Sequence, residues 1–256
     1  MALPKLNSLT YELELPSSGE KLKYRPFLVK EQKALMIAQE TEDDKLIENT
    51  FAQIITDCVF DDVDPYTMPM FDIEYLFLRI RGKSVGEKVK LNLLCPDDEK
   101  TRVDVEIDLE KVDVQMTEDH TNIVKLTKDV TMVMRYPCLK DMAGFDDKGQ
   151  ASSIFDMIKR CVHEIHDGET VYNKVDISEK ELDEFIDSMS TENFDKVSNF
   201  FDTMPKLFHE IEVKNPKTKK KNKIPIEGLQ SFFCAILLTP SFLFFYYFLF
   251  LFQKIH

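Results

Sequence analysis

Four short stretches carry residue types that do chemistry in other proteins. Gly82-Lys83-Ser84 matches the end of a phosphate-binding loop, in which backbone amides and a lysine neutralise nucleotide phosphates. That loop needs another glycine five residues before Gly82, and Phe77 stands there. The fragment also ends an expected helix, whereas a phosphate loop joins a strand to a helix. His163, Glu164 and His166 share residue types with a zinc-protease helix, which sets its second histidine four residues after the first; Asp167 holds that place. Cys95 sits in an expected hairpin loop, as zinc-knuckle cysteines do, but its partner position three residues on is Asp98. With Asp167 and Gly168 as the fifth and sixth residues of a calcium loop, the bidentate glutamate falls on Lys174. No serine, cysteine or lysine stands in a recognisable nucleophile context. We therefore expect no catalytic, cofactor or metal site, and a chain that is not an enzyme.

The elements that would position these residues form an α+β pattern. Tyr11 to Leu15 alternates, PSSG interrupts, and Lys21 to Phe27 alternates again, which predicts a hairpin with Gly19 in its turn. KEQKALMIAQE has helical spacing, with Leu35, Ile37 and Ala38 apolar. A second helix is expected from Asp44 to Val59, and a third opens at Pro69 and Asp72 and runs through FDIEYLFLRIRGKS. VKLNLL and TRVDVEIDL predict strands on either side of CPDDEK, and NIVKLTKDVTMVMRYP a further pair. SIFDMIKRCVHEIHDG reads as helix with Gly168 as its stop, Ser178 and Glu181 have capping-box spacing, and STENFDKVSNFFDTMP reads as a helix closed by Pro205. HEIEVKNPKTKKKNKIPIEG predicts a last hairpin with a lysine-rich loop. The expected domains are 1–136, with the N-terminal hairpin, helices and central antiparallel strands; 137–233, mainly helical and closed by that hairpin; and an apolar tail, 234–256, expected to be helical.

Composition narrows the function. The 256 residues include 46 acidic and 33 basic side chains, a net charge of −13. Nonspecific nucleic-acid binding draws its affinity from lysines and arginines on phosphates, so this balance counts against it. Seven glycines are few for a nucleotide enzyme. Five scattered cysteines and a polar, alternating start predict free thiols, a reducing cytoplasm and no signal peptide. The loop from Lys214 to Lys223 could meet an acidic partner or lipid headgroups, or stand solvated.

From Gly228 to Gln253 there is no charged residue, and 8 of the 20 phenylalanines fall in SFFCAILLTPSFLFFYYFLFLF. The run is long enough to cross a bilayer. Two origins stand open for it. It is a membrane anchor preceded by lysines on the cytoplasmic side, or it is AT-rich sequence read in the wrong frame. Pro240 and the crowded aromatics suit a selected anchor poorly.

Five stretches, in order, carry a family resemblance: LPSSGEKLKYRPFLVKEQKALMIAQE, FDIEYLFLRIRGKSVGE, DGETVYNKVDISEKELDEF, FFDTMPKL and IEVKNPKTKKKNKIPIEGLQSFF. Over about residues 13–233 the chain resembles the T4-like bacteriophage baseplate hub proteins, a family of hub subunits and hub assembly chaperones, in particular its cyanophage-like members. The resemblance implies a structural or assembly role in the hub of a contractile tail, other hub proteins as partners, and no catalysis or cofactor. It implies neither a small-molecule substrate nor nucleic acid, and membrane contact only through a genuine tail. It places the protein in the cytoplasm of the infected bacterium during assembly, or in the virion baseplate. No residue roles carry over from the family. Chemistry nominates Tyr24, Arg25 and Phe27 near the first hairpin, and Lys217, Lys219, Lys220 and Lys221 in the last, as contacts for a partner. The alternative reading is a tail-anchored membrane protein with an acidic cytoplasmic domain.

Overall fold

Strand β1 (Tyr11–Glu14) and strand β2 (Lys21–Tyr24) form the expected hairpin, with Leu13 opposite Leu22 and both buried. In this computed structural model, residues 8–41, 44–142 and 150–228 are described. They form two compact units, an α+β mixture of helices and antiparallel sheets.

The first unit holds residues 8–115 and 206–228. After the hairpin come helix α1 (Val29–Thr41), helix α2 (Asp44–Cys58) and helix α3 (Met70–Val85). Helix α3 begins after Pro69, which has no N–H to leave unbonded at a helix start, and it ends at Gly86, whose φ of +120° suits glycine. Ile73, Leu76, Phe77 and Ile80 of α3 are fully buried, and the Phe77 ring stacks on Phe51 of α2 at 4.1 Å. Strand β3 (Lys88–Leu94) pairs with strand β4 (Arg102–Asp108). Strand β5 (Asp113–Gln115) lies beside strand β10 (Lys206–Lys214), which pairs on its other side with strand β11 (Lys221–Glu227). The chain leaves this unit after Gln115 and re-enters it at Lys206, and these two residues are register partners.

The second unit spans residues 116–205. Its sheet runs in the order β6 (Ile123–Lys125), β7 (Val130–Met134), β8 (Val162–Asp167), β9 (Thr170–Asn173). The helices are α4 (Leu139–Met142), α5 (Gln150–Cys161), α6 (Glu179–Asp187) and α7 (Thr191–Thr203). Met132, Met134, Ile158, Cys161, Leu182, Val197 and Phe200 form its core. The capping box at α6 is present: Ser178 accepts from the Glu181 amide, and the Glu181 carboxylate accepts from the Ser178 amide. Arg135 reaches Asp141 with both ends of its guanidinium, at 2.6 Å each. Burial pushes the Asp141 carboxyl up, but the bonds from Arg135 and Cys138 outweigh it and hold its pKa below the usual range. His120 bonds Thr203 through Nδ1 at 2.9 Å and the Tyr136 hydroxyl through Nε2 at 3.1 Å, and burial lowers its pKa.

One sequence expectation is corrected. The helix predicted over Ser153–Gly168 stops at Cys161, and Val162 to Asp167 is strand β8. The register between β7 and β8 shifts at His163, so Val162 and Ile165 both face the core although three residues apart. A bulged strand thus reproduces a helical spacing. Gly168 is not a helix stop. With φ +57° it takes the first central place of the turn joining β8 to β9. The apolar run after Gly228 lies outside the described residues. Among the described residues no helix is long and apolar enough to cross a membrane.

Candidate partner-binding surface

Three hairpins of the first unit turn through one kind of loop. In LPSSGE the Leu15 carbonyl accepts from the Gly19 amide at 2.8 Å; in CPDDEKT the Cys95 carbonyl accepts from Glu99 at 3.0 Å; in NPKTKK the Asn215 carbonyl accepts from Lys219 at 3.0 Å. Each loop has proline second, where its fixed φ starts the turn. Each puts its fifth residue in the left-handed region: Gly19 at φ +71°, Glu99 at +51° and Lys219 at +63°.

The third loop is clamped by the second. Asp97, in the β3–β4 turn, accepts from the Asn215 side-chain amide at 2.8 Å, from the Asn222 amide at 2.9 Å and from the Thr218 hydroxyl. Asn215 is 0% exposed, and its own side-chain oxygen accepts from the Lys217 and Thr218 amides. The bonds from Thr218, Asn215 and Asn222 lower the Asp97 pKa below the usual carboxylate range. On this frame Lys217, Lys219 and Lys220 are exposed. Lys221 and Lys223 pair across the hairpin with Glu212 at 3.1 Å and Glu210 at 2.6 Å. Lys214, Lys217, Lys219 and Lys220 make no ion pair among the described residues. Three of the four nominated lysines are therefore free charges on a fixed turn, and Lys221 is already paired.

The N-terminal trio is placed differently. Tyr24 is 2% exposed and Phe27 9%. Alternation along β2 turns Leu22 and Tyr24 inward and Lys21 and Lys23 out. The Arg25 guanidinium donates to Glu31 and to the Asp57 carbonyl, both at 2.8 Å. Burial raises the Glu31 pKa, but bonds from Arg25, the Leu28 amide and Lys30 prevail and keep it low. Tyr24 and Phe27 thus pack the interior and Arg25 is committed to its own chain, against the expectation that all three are contacts for a partner.

The motif fragments are also absorbed by structure. Lys83 ends α3 and pairs with Glu87 and Glu110, each at 2.5 Å. Ser84 donates to the Ile80 carbonyl and accepts from the Phe27 amide. His166 bonds Glu164 at 2.8 Å on β8. Cys58, Cys95, Cys138 and Cys161 are free and buried, and burial pushes the thiols of Cys58 and Cys138 up to about 11. No group of three or more histidine, cysteine or carboxylate side chains among the described residues could hold a metal. Sequence reasoning missed the Asp97 clamp. The recurring proline in three loops was a visible sign of shared geometry, but which carboxylate would reach which loop depends on tertiary placement.

Comparison with protein families adds what local geometry cannot. The model of a family described as T4 bacteriophage base plate protein matches residues 8–234. This chain belongs to that family. The match takes in both units, including all three loops and the lysine hairpin. It agrees with the resemblance seen over residues 13–233 at the level of the baseplate. Comparisons with curated proteins and with solved structures gave no match. The T4 baseplate family thus gives the setting of this protein, a phage tail baseplate, and the hairpin above carries three neighbouring exposed lysines, Lys217, Lys219 and Lys220, with no ion pair among the described residues.

Proposed function

We propose that this baseplate protein serves the central hub of a contractile tail, as a subunit or as an assembly factor, and that it acts by binding other hub proteins without catalysis. The single observation that carries this reading is the family match over residues 8–234, nearly all of the two units. The stretches resembling hub proteins in particular narrow the setting from baseplate to hub. Binding is the activity that the surface supports: a rigid hairpin with free lysines and an open strand edge at β9, where Val171 and Tyr172 are exposed. The polar groups that could have served chemistry, Lys83, Ser84 and His166, are engaged with their own chain.

Co-expression tests the proposal. Tagged chain produced with the hub proteins of its phage, one at a time, should retain at least one of them through purification. Retention of proteins from the outer baseplate instead, with no hub protein held, would move the role away from the hub. Mass spectrometry of finished particles then separates the two forms of the proposal: a subunit leaves its peptides in the virion, and an assembly factor does not.

A further inference from the structure

The three related loops differ where it matters most. A left-handed residue is cheapest as glycine, because a Cβ crowds the following carbonyl. The first loop uses Gly19, whereas the second uses Glu99 and the third Lys219 in the same place. Among the described residues the Lys219 side chain makes no ion pair that would offset this strain. Its neighbours Lys217 and Lys220 are also exposed and make no ion pair with a described residue, while Lys221 and Lys223 farther down the strand are matched by Glu212 and Glu210. Asp97, Asn215 and Thr218 fix the turn that carries these lysines, so its backbone is set before any encounter and only the side chains remain to be ordered on binding. Residues 206–227 carry seven lysines against three glutamates, in a chain of net charge −13.

We propose that the β10–β11 tip is a docking element for a carboxylate-rich surface of another baseplate protein, with Lys219 kept in a strained position for its charge. This rests on the reading of the chain as a binding protein. A local acidic patch suits the tip better than an extended polyanion does. The loop has no arginine to grip a phosphate with two bonds and no aromatic ring on which a base could stack. Beyond the tip, a nucleic-acid duplex or an anionic bilayer would meet an acidic protein and be repelled.

The test uses the full chain, a triple variant (Lys217→Gln, Lys219→Gln, Lys220→Gln), a control pair on β3 (Lys88→Gln, Lys90→Gln) and Lys219→Gly alone. Each is measured against whichever baseplate protein the wild type retains, over a range of salt. The triple variant should bind about tenfold more weakly, as the loss of three exposed charge contacts implies, and with a shallower salt dependence. The control pair should bind like wild type. Lys219→Gly should lose binding while gaining thermal stability, a combination that a purely structural lysine would not give. Wild-type affinity in the triple variant overturns the docking tip and leaves the binding function standing. A wild type that retains no partner overturns both. Lysine-dependent binding to a 20-base-pair duplex or to phosphatidylserine vesicles, with none to a baseplate protein, overturns the choice of an acidic protein.

Discussion

At the scale of single residues, charge and backbone strain decide what the hairpin tip costs. Lys219→Gly removes a Cβ from a left-handed position and should stabilise the chain by roughly 1 kcal/mol in chemical denaturation. Gly19→Ala, at φ +71°, should do the reverse by a similar amount. Asp97 makes the loop sensitive to acid. Its carboxyl ionises more readily folded than unfolded, so the unfolded chain takes up the proton first as pH falls. The stability it contributes is complete above the ordinary value of 3.8 and declines as pH drops towards the folded value. Asp97→Ala should therefore flatten the acid limb of a stability profile below that value, leaving its slope near neutrality unchanged. The four buried thiols stay protonated at neutral pH and should resist alkylation until the fold opens.

At the scale of elements, caps and alternation explain most of what was legible in the sequence. The box at Ser178 and Glu181 announces α6, and Ser178→Ala should cost about 1 kcal/mol by thermal unfolding. Pro69 and Asp72 announce α3, and the alternation of VKLNLL with TRVDVEIDL announces β3 and β4. VHEIHD was not legible, because a bulge at His163 gives a strand the three-residue spacing of a helix face. Bulges depend on the partner strand, which no local window contains. The site was legible only in part. A run of lysines shows in the sequence, but the pairing of Lys221 and the freedom of Lys219 follow from cross-strand register. Tyr24 and Phe27 have surface and interior readings that local pattern alone does not separate; burial beneath neighbouring elements decides for the interior.

At the scale of the whole molecule, two units with separate cores imply separable stability. Phe200 is nearly fully buried in the second unit, against Tyr136, Phe201 and His120. Phe200→Ala should cost about 3–5 kcal/mol. Amide hydrogen exchange should show that loss mainly in residues 116–205, with the strands and helices of the first unit largely protected as before. The lysine hairpin belongs to the first unit, so the variant should keep its partner under conditions where the second unit is only weakened. Family membership places the molecule in a phage baseplate, and its proposed work there is to hold other hub proteins. The most direct measurement is affinity purification of the tagged chain from infected cells, with the retained proteins identified and counted by mass spectrometry. The account predicts at least one hub protein in near-stoichiometric amount, released by raised salt. Recovery of the chain alone at every stage of infection would contradict it.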